Sequence, residues 1–178
     1  MVLARPISRG RLLLLKWLSG VIFSALLVAV LGAGGMVFSG ACFPVQGGLF
    51  AQLPDQPPSV LAFSDGWRRF ICAHAFMLSK AVTIMSLALM FSCCNLKPAT
   101  AAILALSLIT LDRILMELPF FHDLRPYFLG HYLNCWQLLF LNPIPWWQIG
   151  QAVSLLAGLS LTFLLAGAAI FHLRDFKS

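Results

Sequence analysis

The chain reads as an all-α membrane protein of four transmembrane helices, with an outer re-entrant or interfacial helical hairpin and both termini in the cytoplasm. Three observations predict this. Hydrophobic residues fill 60% of the 178 positions and charged residues only 10%, against roughly 25% charged in an ordinary soluble domain, so the chain cannot cover itself with polar surface. Its apolar residues fall into four runs, each long enough to cross a hydrocarbon core at about 1.5 Å per residue. The basic residues outside those runs crowd one side of them.

The first run, residues 12–36, is interrupted only by Lys16. It is longer than the roughly 7–15 residues of a signal-peptide core, and Gly40, Ala41 and Cys42 imitate a processing site loosely, so it is expected to be retained as a span. Gly32 to Gly35, reading "GAGG", predict a bend near its outer end. Gly40 to Gly66, with Pro44, Pro54, Pro57 and Pro58, reads as an extended outer connection. The second run, 70–91, carries Lys80; the third, 99–118, carries Asp112, Arg113 and Glu117 near its far end. The fourth, 149–171, repeats Gly150, Ser154, Gly158, Thr162 and Ala166 at every fourth position, a stripe of small side chains that admits a close helix neighbour. All four runs should be helical, because lipid offers no other partner for a single segment's backbone groups. Together they make one transmembrane domain over residues 1–178.

Orientation follows from the cations. Arg5, Arg9, Arg11, Lys16, Lys97, Arg174 and Lys177 lie on one side, whereas the opposite loops hold only Arg68, Arg69 and Arg125. The positive-inside bias therefore places both termini in the cytoplasm. The net charge of +6 is an orientation signal and a contact for lipid headgroups, and gives no reason to expect nucleic acid.

Residues 119–148, "PFFHDLRPYFLGHYLNCWQLLFLNPIPWWQ", fall on the outer side. Trp136, Trp146, Trp147, Tyr127 and Tyr132 suit the headgroup level, while Pro119, Pro126, Pro143 and Pro145 cut the stretch into pieces too short to span. Two arrangements satisfy these facts: a pair of short helices dipping into the outer leaflet, or a flat interfacial loop.

Inside the membrane a charge is costly unless paired or snorkelling. Lys80 and Asp112 fall where an ion pair in the bundle interior is reasonable, with Glu117 as another partner for Lys80 or for Arg113 one turn away. The pair would either fix helix packing or line a substrate path.

The stretch "LPFFHDLRPYFLGHYLNCWQLLFLNPIPWWQI", followed by a span ending in "FHLRDF", resembles the C-terminal part of ABC-2 type transporter permeases. "LARPISRGRLLLLKWLSG" is similar to that family's cytoplasmic lead into the third span, and "FSCCNLKPATAAI" to the inner turn between the fourth and fifth. The resemblance implies the last four of six spans, with an outer re-entrant hairpin before the last. It implies a subunit, or fragment of one, of an ATP-driven exporter in the bacterial inner membrane. This chain would bind no cofactor and catalyse no reaction, since it has no Gly-x-x-x-x-Gly-Lys-Ser/Thr loop. ATP would sit on a partner ABC ATPase subunit, contacted through Arg5, Arg9, Arg11, Arg174 and Asp175. A second permease half, and a chain supplying the two missing spans, would complete the assembly.

Two other classes fit the topology. A non-transporting membrane scaffold needs no ATPase. A four-span thiol oxidase linked to quinone would depend on an outward Cys-x-x-Cys pair, and Cys42, Cys72, Cys93, Cys94 and Cys135 do not supply that spacing. His74, His122, His131 and His172 are too scattered for a metal-ligand pattern.

Overall fold

The computed structural model describes residues 9–42, 48–51, 59–94 and 96–173. Helix α1 is Arg9–Cys42, α2 is Phe63–Cys93, α3 is Pro98–Glu117 and α5 is Trp146–Leu173. All four are long and apolar enough to cross a membrane. Between α1 and α2, strand β1 (Leu49–Ala51) pairs antiparallel with β2 (Ser59–Leu61). Between α3 and α5 lie a 3₁₀ stretch (Pro119–Tyr127), the one-turn helix α4 (Leu129–Leu133) and a second 3₁₀ stretch (Cys135–Phe140).

The helices overrun the apolar runs. Helix α1 runs through Gly32–Gly35, where a bend was expected, and continues to Cys42. A glycine costs a helix about 1 kcal/mol relative to alanine, but a backbone that leaves the helix in an apolar medium finds no water to replace its hydrogen bonds. Gly32 has a packing role instead, since a Cβ there would lie 2.7 Å from the His74 ring on α2. The expected open connection shrinks at its other end too, because α2 begins at Phe63, with Asp65 in its first turn, where a carboxylate is favoured by the helix dipole. Pro98 opens α3 at a position where its missing N–H costs nothing.

Helix α2 is the centre of the bundle, packing on α1, α3, α5 and the second 3₁₀ stretch. It runs antiparallel to α1, and two glycines set how closely they approach: Gly32 against His74, and Gly20, where a Cβ would meet Met85 Sδ at 2.8 Å. Trp17 Nε1 on α1 donates to Ser86 Oγ on α2 at 2.9 Å. Helix α5 runs parallel to α2. Their crossing buries Thr83 and Ser160, whose hydroxyls lie 2.9 Å apart: one gives its single proton to the other, whose own proton goes to the carbonyl one turn back in its helix, Ser79 for Thr83 or Leu156 for Ser160. Apolar medium leaves such hydroxyls no solvent partner, so they bond to the helix backbone and to each other.

The small-residue stripe of α5 does not serve this crossing. Gly150, Ser154, Gly158 and Thr162 are exposed, and a Cβ at Gly150 or Gly158 would meet nothing within 4 Å. The α5 residues facing the bundle are Ile149, Ala152, Leu156, Ser160 and Gly167.

Candidate functional site

The residues with unusual chemistry converge on the segment between α3 and α5. Leu133 and Cys135 pack into a buried cluster with Ala152 and Leu156 of α5, against Phe76 of α2 and Ile109 of α3. Leu139 is buried with Ala73 and Ile149. Helices α3 and α5 make no extended contact with each other; the segment stands between them as a wedge, with α2 as its floor.

Two charged side chains hold this wedge. Asp112, on α3, accepts the backbone N–H groups of Leu129 (3.1 Å) and Gly130 (2.5 Å). Those are first-turn donors of α4 that lack intrahelical acceptors, so the carboxylate caps from a neighbouring helix. Gly130 leaves room for this approach, since a Cβ would lie 2.8 Å from Asp112 Oδ2 and displace the carboxylate. At the other end, Arg69 of α2 donates through Nη1 to the carbonyls of Leu139 (3.0 Å) and Leu141 (2.9 Å), and through Nη2 to Asn142 Oδ1 (2.8 Å). Its Nε reaches Asp65 Oδ2 at 2.9 Å. The fixed fork of a guanidinium serves all these acceptors at once.

These contacts correct the expected Lys80–Asp112 ion pair. The ion pairs among the described residues are Arg69–Asp65 and His122–Asp123, and Asp112 is engaged by backbone instead, because two aligned N–H groups are closer to it than any ammonium. The Arg113–Glu117 pairing is likewise not formed. Lys80 is partly buried on α2, and its charge acts on the Cys135 thiol. Burial pushes the Cys135 thiol above its ordinary pKa, more than its own backbone hydrogen bond and Lys80 pull it down.

The aromatic residues gather at the end of the bundle where α2 and α5 begin. Trp146 and Trp147 open α5 and are exposed, Tyr127 closes the first 3₁₀ stretch, and Phe120 on it is 87% exposed. Trp136 is partly buried, edge-on to Phe140 with ring centroids 6.4 Å apart. Pro143 and Pro145 lie in the turn leading to α5. At the other end, Arg9 begins α1, Arg11 is exposed and Lys97 precedes α3. Arg5, Arg174 and Asp175 lie outside the described residues.

Sequence reasoning missed Arg69 as a structural residue. Its signal was present, as a cation in a loop that the charge bias otherwise leaves poor in them. The capping role of Asp112 had no local signal, since its partners are 17 and 18 residues away.

No family model, curated protein or solved structure matches the chain.

Proposed function

We propose that the chain is a multi-pass membrane subunit, all or part of the permease of an ATP-driven ABC-2 type exporter in a bacterial inner membrane. Its termini lie in the cytoplasm and the 119–148 segment forms the outer re-entrant hairpin. The observation that carries the reading is the wedge: a broken helical segment, flanked by exposed Trp, Tyr and Phe, folded back between two apolar helices and fixed by Asp112 and Arg69. Non-helical backbone at membrane depth is tolerated where protein covers it, and here α2, α3 and α5 do so. The separation of Arg11 and Lys97 from the tryptophan-bearing end supports the orientation.

In this reading a separate ATPase closes on ATP and pushes the cytoplasmic ends of the spans, including Arg9, Arg11 and the Arg174–Asp175 tail. The permease responds as a two-state element biased by its partner. A second permease half completes the path.

The test is co-purification from membranes with an ATPase subunit, joined to accessibility labelling of single cysteines at positions 11 and 146. The proposal expects an ATPase whose turnover changes when this chain is present, with position 146 labelled from outside and position 11 only after permeabilisation. Labelling of both from one compartment overturns the orientation. Correct orientation with no ATPase recovered favours the scaffold reading.

A further inference from the structure

Helix α3 turns Ala101, Ala105 and Asp112 toward α2 and the wedge, and its opposite face is open. There two rows at four-residue spacing, Ile103–Ser107–Leu111 and Leu106–Thr110–Ile114, flank a shallow groove. All six side chains are exposed. A groove between two such ridges is the shape into which a ridge of a second helix packs.

This face is more polar than lipid favours. Ser107 is the tenth of the twenty residues of α3, at mid-span, and makes no hydrogen bond among the described residues. Thr110 returns its proton to the Leu106 carbonyl at 2.8 Å. Arg113 and Glu117 follow over the next two turns, both exposed and, among the described residues, in no ion pair. Arg113 lies four residues, about 6 Å, inside the outer end of the helix. Helical side chains lean toward the helix N-terminus, here inward and away from the headgroups. A charge so placed is costly unless an opposite charge meets it. Pairing within α3 is a weak remedy, because an acid four residues after a base is the less favourable order along a helix.

We infer that the open face of α3 is the contact between two copies of this chain, joined by reciprocal Arg113–Glu117 ion pairs. Copies inserted with one orientation hold their α3 helices parallel, and a two-fold axis along the groove brings the same face of each to the other. Ile103, Thr110 and Glu117, at seven-residue spacing, form the seam of such a pair. Arg113 stands at the edge of the seam, where it reaches across to the carboxylate of the other copy. The two charges are thus complementary to themselves under the symmetry, whereas the helix of another protein would have to carry the same pair at the same heights. The inference requires only that the four helices span a bilayer, and stands whether or not an ATPase drives the chain.

The test uses two differently tagged full-length chains expressed in one membrane. Wild-type copies should co-purify in mild detergent. Arg113→Glu leaves a copy with two carboxylates on the seam and Glu117→Arg a copy with two cations, so each variant should lower self-association about tenfold or more. Expressed together, the two variants should associate as the wild type does, because both ion pairs form again between unlike copies. Pairing within one helix cannot produce that recovery. Thr110→Cys should cross-link copy to copy through position 110, and Leu108→Cys, exposed on another side of α3, should not; this readout stands even if the charge variants misfold. Wild-type copies that fail to co-purify, undiminished self-association of the single variants, mixed variants that stay apart, or a cross-link from position 110 to a different protein would each overturn the inference.

Discussion

Replacing Arg69 by alanine tests the account of how the wedge is held. The guanidinium donates to the backbone carbonyls of Leu139 and Leu141. Leu139 is 1% exposed, so its carbonyl would lose this partner where water has little access. An unsatisfied buried acceptor costs about 1–3 kcal/mol, and a partly buried bond such as that to Leu141 about 0.5–1.5 kcal/mol. Asn142 is exposed and adds little. Asp65 is half exposed, and an exposed ion pair is worth about 0–1 kcal/mol. The expected cost of Arg69→Ala is therefore about 1.5–4.5 kcal/mol, nearly all of it from the wedge side. Cys135, 4% exposed, is a natural reporter of local opening. If opening is fast relative to alkylation, its labelling rate follows the open population, and about 1.5–4.5 kcal/mol becomes an acceleration of roughly 10- to 1,600-fold, at about 1.4 kcal/mol per tenfold. Peptide-resolved alkylation in detergent measures this without removing the other cysteines. Asp65→Asn should accelerate labelling less than about fivefold. Equal effects of the two substitutions, or less than a threefold effect of Arg69→Ala, would show that the wedge is held by its apolar contacts alone.

Other outcomes follow from the same contacts. Gly130→Ala should lower the thermal unfolding midpoint by an amount equivalent to about 1–3 kcal/mol of overpacking, because its methyl would meet the Asp112 carboxylate; an unchanged midpoint would mean that α4 shifts freely. Gly32→Val should disrupt the α1–α2 crossing and be partly rescued by His74→Ala, a coupling that a double-mutant cycle reads directly. Thr83→Val and Ser160→Ala should each cost about 0.6 kcal/mol, up to about 1.7, with the double variant costing less than the sum. In the wild type Cys135 should alkylate more slowly than exposed Cys94, and its rate should still be rising with pH above the range in which an ordinary thiol ionises. Burial raises its thiol pKa, so the thiolate forms later as pH increases.

The four spans were legible because a single criterion, apolar length, decides them, and α1, α2, α3 and α5 cover the predicted runs. Their ends were not. Helix α2 starts seven residues early, at Phe63, because a polar opening turn with Asp65 is helical for reasons that hydropathy does not register. The broken character of 119–145 could be read from its prolines. Its seat between α3 and α5 could not, since that depends on shape and on bonds such as Arg69 to Leu139, 70 residues apart. Lys80 and Asp112 were expected to pair with each other, and complementary charge was a poor guide to their partners. Backbone donors left over at the start of a one-turn helix competed for the carboxylate, and no sequence pattern on α3 announces them.

The Thr83–Ser160 contact bears on the order in which the molecule is made. The two residues are 77 positions apart, so α2 enters the bilayer well before its main neighbour has been synthesised. Thr83 can wait without penalty, because its hydroxyl already donates to Ser79 in its own helix. Arg69 has no such substitute for the carbonyls of Leu139 and Leu141. Until those residues emerge from the ribosome, the end of α2 that carries Arg69 lacks these acceptors, and closure of that end is a late event in biogenesis.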